Sequence, residues 1–544
     1  MITKNLVKAN NKKDILISKM FTVNKITMHN DVSNLTHLRT LGAQREPPFS
    51  LITAPEGGGL NEKRCKTLKE FGILELEVGK TTITRKPQEI NIMLDESGSM
   101  NDSGEGGDCD SDSDSDDEDK HSTSKMDLTK HVVKNIMEFV LNECKESDVK
   151  IGVHAFNTHV REIFERTTIT SENIENLTKL VQDIHAMDGT NMEESLITLK
   201  SLEPISNNAE KNNILMSDGD ANEGISDAKK LAKKVDSKAT NYFVGFGLEH
   251  NPQIFAALSA RENSSYYFVD KIDKSGLTYG EILYNIMYNK YKSVKLEIVN
   301  PDGQTLMYDY LNNEWRTQIF IGKMSGEMKK TIHIASNTKE KNIVIKVTGY
   351  DAETDEQIEQ IIIWDQEVDD LSKYIFRQNA LELISIAKTC HNMNPTDLKN
   401  MKYELKMFTL EMKEYMKNHG LLEDKLMMSL CDDIIVIYRT IGTEHGLMYS
   451  CSRQSSQGAQ RLNANSNIPM NSNKIRRNTG IQRACMSSYD PDCQRGCAPS
   501  SSSSSVFNFE PKDEFDELIN NHTMTEVELT TTQSHVMNLI SKTE

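Results

Sequence analysis

The sequence predicts an α/β fold. A doubly wound, mostly parallel sheet at residues 88–292 is followed by a small β-sandwich at 293–367, a helical bundle at 368–448 and a disordered tail at 449–544. Three observations indicate this order. Short apolar runs alternate with helical patterns up to residue 292, and repeated strand–helix units build parallel sheets covered by helices on both faces. Alternating apolar and polar positions follow, as is typical of half-buried strands, and then apolar residues recur at the spacing of a helix face.

The chain before the sheet contains two different regions. Residues 1–70 are polar and weakly patterned, so we expect an N-terminal extension that is partly disordered. Residues 71–87 include Leu74-Glu75-Leu76-Glu77-Val78, and this alternation predicts a strand. Because residues 293–367 are few for a complete β-sandwich, the earlier strand is a candidate to complete it. The α/β domain would then be inserted in the sandwich.

Small oxygen ligands recur where predicted strands end or helices begin. The apolar run from Ile90 stops at Asp95, and two hydroxyl residues follow at alternate positions. Ligands of open α/β sheets bind at the carboxyl ends of the strands, and carboxylate and hydroxyl oxygens suit a hard cation such as Mg²⁺. Two later turns carry a threonine and an aspartate in the same kind of place. The candidate metal ligands are Asp95, Ser97, Ser99, Thr190 and Asp218.

Three segments together resemble the metal-ion-dependent adhesion site of the von Willebrand factor A domain: Asp95-Glu-Ser-Gly-Ser-Met100, Gly189-Thr-Asn191 and Met216-Ser-Asp-Gly-Asp220. The resemblance covers residues 88–292 and implies a Rossmann-like domain that binds Mg²⁺, with Mn²⁺ or Ca²⁺ as alternatives. It further implies that Ser97 and Ser99 bind the metal directly, Thr190 directly or through water, and Asp95 and Asp218 mainly through waters. Such a cation would keep one position for an Asp or Glu of a partner protein. The alternative is a domain of this fold whose metal site is unused.

The order of the domains also resembles that of two groups of proteins with a von Willebrand A domain. These are the inter-α-trypsin-inhibitor heavy chains and the plant-type ubiquitin ligases, and the similar segments are Ile321–Glu327 and Ser452–Arg461. The chain departs from the ligases because it has no RING-type array of Cys and His. A role as an adaptor or component of ubiquitin transfer is therefore an alternative that depends on the domain order alone.

An acidic insertion follows the first metal-ligand segment. Residues 101–124 are rich in Gly, Asp and Ser, and such a stretch repels itself and buries no apolar surface, so we expect a disordered loop. One of its acids would act as an internal ligand that competes with partners, with phosphorylation of nearby serines as a control. The alternative is a solvated loop. The candidate acids are Asp102, Glu105, Asp108 and Asp110.

The helical region and the tail each leave an alternative open. Apolar residues at helical spacing, many of them methionine, predict the core of a three-helix bundle, and a peptide-binding groove is the alternative. They are Leu398, Met401, Leu405, Phe408, Met412 and Tyr415. In the Ser- and Asn-rich tail, Phe515–Ile519 is either a docking motif or part of a solvated segment. The cluster of Cys485, Cys493 and Cys497 is interpreted as free thiols, because no fourth ligand lies near enough to complete a zinc site.

Composition narrows the class of protein. The 544 residues carry a net charge of −18, which disfavours binding to nucleic acid. No apolar run reaches the length of a membrane span, and the N-terminus lacks the features of a secretory signal. Nine cysteines, scattered and odd in number, do not indicate a disulfide framework, so we expect an intracellular, cytoplasmic protein.

The familiar catalytic motifs are missing from the sequence, so we expect a protein that is not an enzyme. The favoured function is that of a scaffold or interaction module that uses a Mg²⁺-loaded site to capture an acidic residue of a partner. Two alternatives are the ubiquitin-transfer role and a structural protein of an assembly or particle.

Overall fold

The computed structural model describes residues 22–29, 70–102, 123–144, 148–206, 208–219, 221–247, 250–269, 275–299, 305–336, 343–363, 366–367, 371–390, 394–443, 445–460 and 531–540. The strands, in chain order, are β1 (Thr22–His29), β2 (Glu70–Glu77), β3 (Gln88–Asp95), β4 (Val149–Phe156), β5 (Val160–Thr168), β6 (Glu210–Ser217), β7 (Thr240–Phe246), β8 (Ser264–Val269), β9 (Asn289–Ile298), β10 (Thr305–Asp309), β11 (Glu314–Arg316), β12 (Gln318–Ser325), β13 (Lys329–Ser336), β14 (Val344–Asp351), β15 (Gln357–Ile363) and β16 (Gln366–Glu367). The α-helices are α1 (Lys125–Glu143), α2 (Ile174–Gln182), α3 (Met192–Ser201), α4 (Ala228–Ala232), α5 (Pro252–Ser259), α6 (Ser275–Met287), α7 (Ser372–Ala387), α8 (Pro395–Asn418), α9 (Lys425–Thr440), α10 (Gly446–Ala459) and α11 (Thr531–Ile540).

A six-stranded sheet forms the centre of the α/β domain, in the order β5-β4-β3-β6-β7-β8. Strand β5 runs antiparallel to β4, and the other neighbours are parallel. Every residue of β3 is buried, because helices cover both faces of the sheet. Side chains alternate along the strand, so Ile92 packs under α1, α2, α6 and α11 while Met93 packs under α3, α4, α5 and α10.

Two further sheets pack against each other beside this domain. One has the order β11-β10-β13-β2-β1-β16 and the other the order β12-β9-β14-β15. Strand β2 is antiparallel to both β1 and β13, so a strand that precedes the α/β domain is hydrogen-bonded to one that follows it. Leu74 and Leu76 of the first sheet share a core with Leu296 and Val347 of the second. The α/β domain therefore lies, in the chain, between strands of this pair of sheets.

Helices α7, α8 and α9 pack around a common apolar core. The methionine-rich side of α8 faces this core, where Met401, Leu405 and Met412 are buried against α7 and α9. These side chains are therefore covered by the chain's own helices and do not line an open groove. Within the described residues we find no helix that combines the length and apolar character needed to cross a membrane.

The tail begins later in the chain than the sequence analysis placed it. Residues 449–459 belong to α10. The polar side chains of this helix are buried, because they have hydrogen-bonding partners. A guanidinium nitrogen of Arg453 lies 3.2 Å from Oδ1 of Asp433, and Nε2 of Gln457 donates to Oδ2 of the same carboxylate at 2.6 Å. The Ser- and Gln-rich composition predicts a solvated segment. Its polar side chains are buried instead, because these hydrogen bonds make their burial favourable.

A second segment of the tail is also helical. Helix α11 packs on α1 and α6, with Val536 and Met537 fully buried. Gly280 of α6 permits this close approach, because a Cβ there would lie 2.6 Å from Cγ of Met537. Phe515–Ile519 and the three clustered cysteines lie outside the described residues.

The acidic insertion is shorter than residues 101–124. Asn101 ends a 3₁₀ turn at Gly98–Asn101, and Ser124 is the N-cap of α1. The Ser124 hydroxyl accepts a hydrogen bond from the Asp127 backbone N–H at 3.0 Å, and the Asp127 carboxylate accepts one from the Ser124 N–H. This capping box fixes where the helix begins. Residues 103–122 lie outside the described part of the chain.

Candidate metal centre

The end of β3 and the turn after it hold three of the predicted ligands. Asp95 is the last residue of the strand, and its Oδ1 accepts a hydrogen bond from the Ser97 backbone N–H at 2.8 Å. The 3₁₀ turn then brings the hydroxyls of Ser97 and Ser99 within 3.2 Å of each other. A carboxylate and two hydroxyls therefore meet at the carboxyl edge of the sheet.

The second carboxylate lies directly after the neighbouring strand β6. Asp218 directly follows it, and Oδ1 of Asp218 accepts a hydrogen bond from the Ser99 hydroxyl at 2.8 Å. Ser217, the last residue of β6, donates its hydroxyl hydrogen to Oδ2 of Asp95. The sequence analysis did not include Ser217 among the functional residues, although it stands next to Asp218. Its contact holds the Asp95 carboxylate in place.

Thr190 reaches the same place from the turn before α3. Its backbone N–H donates to Oδ1 of Asn222 at 2.7 Å, while Asn191 caps the helix by accepting from the Glu194 N–H. A Cβ at Gly219 would lie 3.0 Å from the Thr190 hydroxyl oxygen and 3.5 Å from Oδ2 of Asp95. The structure thus brings all five predicted residues around one point, and Gly219 leaves room for them.

The sequence analysis missed a lysine in this centre. Lys125 is the first residue of α1, and its Nζ lies 2.5 Å from Oδ2 of Asp218 with the side chain 8% exposed. One signal in the sequence pointed to it. The N-terminal turn of a helix disfavours cations, so a lysine there indicates that another group holds it. Here that group is the buried carboxylate of Asp218.

Burial dominates the electrostatics of Asp95. Removal from water raises the pKa of this carboxyl to about 7, the hydrogen bonds from Ser217 and Ser97 oppose the rise, and the charge of Asp218 adds to it. Two buried carboxylates in the same centre favour a nearby cation. The Lys125 ammonium supplies a cation at one of them, Asp218.

The chemistry of the donor atoms indicates which metal ions fit this centre. Two carboxylates and three hydroxyls are hard oxygen donors, which match Mg²⁺, Mn²⁺ or Ca²⁺ and not a metal that prefers sulfur or nitrogen. No cluster of three or more His, Cys, Asp or Glu side chains suited to a metal occurs among the described residues, and this centre depends on hydroxyls instead. The residues present therefore fit a hard divalent cation.

Asp102 is the one suggested competing ligand that lies among the described residues. Its side chain is 63% exposed, and its Oδ2 lies 4.0 Å from Nζ of Lys125. The acidic insertion therefore begins beside the lysine at the rim of the centre. Glu105, Asp108 and Asp110 lie outside the described residues.

A six-stranded α/β domain with a hydroxyl-rich centre at its carboxyl edge is the architecture of a known class. Residues 89–278 match the von Willebrand factor type A domain. The chain therefore contains such a domain, as the sequence predicted, and domains of this class are commonly protein-interaction modules.

Two solved structures are similar to a larger part of the chain. One is described as von Willebrand factor type A from Catenulispora acidiphila, with 16% identity and a TM-score of 0.47 over 66% of this chain and 85% of that one. The other is the ArnB paralog VWA2 from Sulfolobus acidocaldarius, with 11% identity and a TM-score of 0.46 over 72% of this chain and 92% of that one. No curated protein sequence matches the chain.

Proposed function

We propose that this protein is a metal-dependent interaction module that uses a Mg²⁺-loaded centre to capture an Asp or Glu of a partner protein. The observation that supports this proposal is the gathering of two buried carboxylates and three hydroxyls at one edge of the sheet. The ligands would be Asp95, Ser97, Ser99, Thr190 and Asp218. Mn²⁺ and Ca²⁺ are alternative ions for the same oxygen donors.

The roles of the residues follow from their chemistry. Ser97, Ser99 and Thr190 offer neutral oxygens, so a cation held by them directly would keep most of its charge for a further ligand. Asp95 and Asp218 would neutralise the ion from slightly farther away, while Asp95 accepts a hydrogen bond from the Ser97 backbone N–H and Asp218 accepts one from the Ser99 hydroxyl. When bound, the metal supplies an electrophilic position for a carboxylate. A non-catalytic binding role accounts for all five side chains.

The proposal assigns the partner to proteins and not to nucleic acids. A net charge of −18 opposes a phosphate backbone, whereas one bound cation still attracts a single carboxylate at short range. A function in ubiquitin transfer depends on domain order alone and stays a prediction.

Metal binding is the first test. Titration of the metal-free protein with Mn²⁺, followed by electron paramagnetic resonance and calorimetry, should show a single site that Mg²⁺ competes for. Thr190→Ala should weaken binding at least about tenfold, equivalent to about 1.4 kcal/mol for a lost oxygen ligand. Thr198→Ala, in helix α3 and away from the centre, is the matched control. Equal affinity of the two variants would contradict the ligand role of Thr190.

Capture of an acidic residue is the second test. A displayed peptide library is selected on the immobilised protein in Mg²⁺ and eluted with a chelator. The selected peptides should share an Asp or Glu, and replacing it by Asn or Gln should abolish binding. Asp95→Ala protein should select nothing above background. Peptides that bind equally in chelator would oppose a metal-bridged partner.

A further inference from the structure

A cavity lies at the opposite edge of the α/β domain from the metal centre. It has a volume of about 710 Å³ and is bordered by the amino ends of β6 and β7 and the turn before β8. Lys292 of β9, Lys323 of β12 and Tyr350 of β14 close its other side. The cavity is therefore an interdomain cleft, and ligand sites are frequently found in such clefts and in this range of volume.

The lining of this cleft is rich in lysine. Six lysines face four carboxylates, an excess of positive charge in a chain whose net charge is −18. The lysines are Lys86, Lys200, Lys211, Lys238, Lys292 and Lys323, and the acids are Glu203, Glu210, Asp236 and Asp355. A locally positive cleft in an acidic protein concentrates anions, because low-dielectric walls focus its field.

Three of the lysines share one carboxylate. Nζ of Lys292, Lys323 and Lys86 lies 2.9, 3.3 and 3.7 Å, respectively, from a carboxylate oxygen of Glu210. Lys86 and Lys292 also contact Asp355. The side chain of Lys323 is only 11% exposed, so its ammonium is held under the cleft with few water contacts. Three ammonium groups thus contact two carboxylates, so this group of side chains has one more positive charge than negative charges.

Two more lysines lie at the rim. Lys200, in the last turn of α3, and Lys238, just before β7, are both exposed and form no salt bridge among the described residues. Their ammonium groups are free to turn toward an anion in the cleft.

The backbone gives an independent indication. Eight non-glycine residues in the described part of the chain have positive φ, and four of them line this cleft. They are Asn208 (φ 61°), Asn263 (φ 57°), Ser293 (φ 51°) and Asp355 (φ 58°). Such conformations cost about 1 kcal/mol or more each and are concentrated at ligand clamps and active sites. Their gathering around one cavity indicates that its shape is maintained for a ligand.

We propose that this cleft binds a small anion that carries more than one phosphate group. Its volume exceeds what a single phosphate fills, and its lysines are spread around the walls, as point charges suited to a polyvalent phosphate. Hydroxyl and amide donors from Ser237, Ser293, Asn208 and Asn263 stand among them. The inference is independent of the metal ligands, which lie at the other edge of the sheet.

Calorimetric titration with pyrophosphate, in chelator and at fixed ionic strength, tests the proposal on the whole chain. We expect one equivalent to bind. The double variant Lys200→Gln/Lys238→Gln should weaken binding at least about tenfold, and both side chains are exposed, so folding is preserved. The matched control, Lys229→Gln/Lys233→Gln, changes exposed lysines outside the cleft by the same charge and should stay within about twofold of wild type.

Three results would overturn the proposal. They are no binding of pyrophosphate to the wild type, an equal loss in the two double variants, and tighter binding of citrate than of pyrophosphate, which would indicate a carboxylate site. Asp95→Ala protein should bind pyrophosphate as the wild type does. A loss there would be a fourth result against the proposal, because it would place the anion at the metal centre instead.

Discussion

The Nζ atom of Lys125 lies 2.5 Å from Oδ2 of Asp218, so a cation of the chain itself contacts one of the proposed metal ligands. The same ammonium lies 4.0 Å from Asp102, at the start of the acidic insertion. A divalent ion and this ammonium would repel each other while both are attracted to the same carboxylate. The lysine is therefore expected to set how strongly the centre holds metal.

Replacing Lys125 by Met should change metal affinity and stability in opposite directions. Affinity for Mg²⁺ is expected to rise about tenfold, because a competing positive charge is removed. The metal-free protein should lose about 1–3 kcal/mol of stability, because Asp218 stays buried without its partner. Calorimetry with Mg²⁺ and urea unfolding in chelator measure the two effects. The control Lys134→Met, on a more exposed part of α1, should change neither metal affinity nor stability. Weaker Mg²⁺ binding by the Lys125 variant would refute a competition between the lysine and the metal ion.

Gly219→Ala tests the space beside Thr190. The new Cβ would lie 3.0 Å from the Thr190 hydroxyl oxygen, so the threonine must move by a few tenths of an ångström. We expect affinity for Mn²⁺ to fall about tenfold with little loss of stability. Gly98→Ala is the matched control in the same centre, since its Cβ would meet nothing closer than 3.8 Å. An equal effect of both substitutions would show that Thr190 need not hold its position.

His333 should make the protein less stable in mild acid. Its Nδ1 donates to Oε1 of Gln378 at 2.8 Å and its Nε2 accepts from Arg377 at 3.1 Å, so the folded chain holds the neutral ring. Burial, reinforced by the Arg377 charge, lowers its pKa to about 3. In the unfolded chain the ring has a pKa of about 6.5 and becomes protonated below that pH, whereas in the folded chain the ring stays neutral. The protein therefore loses stability as the pH falls below about 6.5.

The size of this effect can be measured by substitution. At pH 5 the loss from His333 amounts to about 2 kcal/mol. His333→Gln should therefore reduce the difference in unfolding free energy between pH 7 and pH 5 by about that amount. Exposed His159→Gln should leave the difference as it is in wild type. A wild-type-like difference in the His333 variant would mean that other groups cause the acid sensitivity.

Met537→Ala should loosen helix α11 from the α/β domain. The side chain is 1% exposed and sits over Gly280, so its truncation leaves a cavity worth about 2–5 kcal/mol. Amide hydrogen exchange in α11 and in the facing part of α1 is expected to accelerate at least about thirtyfold. His535→Ala, on the exposed side of α11, should have little effect. Unchanged exchange in the Met537 variant would mean that the helix is held by other contacts.

Local rules explain which parts of the metal centre were predictable. Asp95 ends an apolar strand, Ser97, Ser99 and Asp218 closely follow the end of one, and parallel strands bring such ends together. No such local rule predicts the position of Lys125, because this position depends on where the chain returns to the domain after the acidic insertion. Charge partners that are far apart in sequence are set by tertiary structure and leave little trace in spacing.

The helices that the sequence analysis missed show a second limit. Composition predicted a solvated tail from residue 449, yet Arg453 and Gln457 are buried around Asp433. Prediction from composition assumes that polar residues stay in water, and it fails wherever they satisfy one another inside. Helix α11 was missed for a related reason. A ten-residue helix is marginal alone, and its stability comes from the surface that receives it.

The insertion of the α/β domain between strands of the paired sheets has a mechanical consequence. Its two covalent connections leave side by side, since the Thr84 N–H before β3 donates to the carbonyl of Met287 at the end of α6 at 2.8 Å. A partner held at the opposite, carboxyl edge would load β3 and β6 along their length, over roughly 26 Å of strand. Parallel strands pulled in this direction must shear many hydrogen bonds together instead of unzipping them singly. If the proposed capture takes place, the domain would therefore transmit tension between the partner and the rest of the chain along its strands.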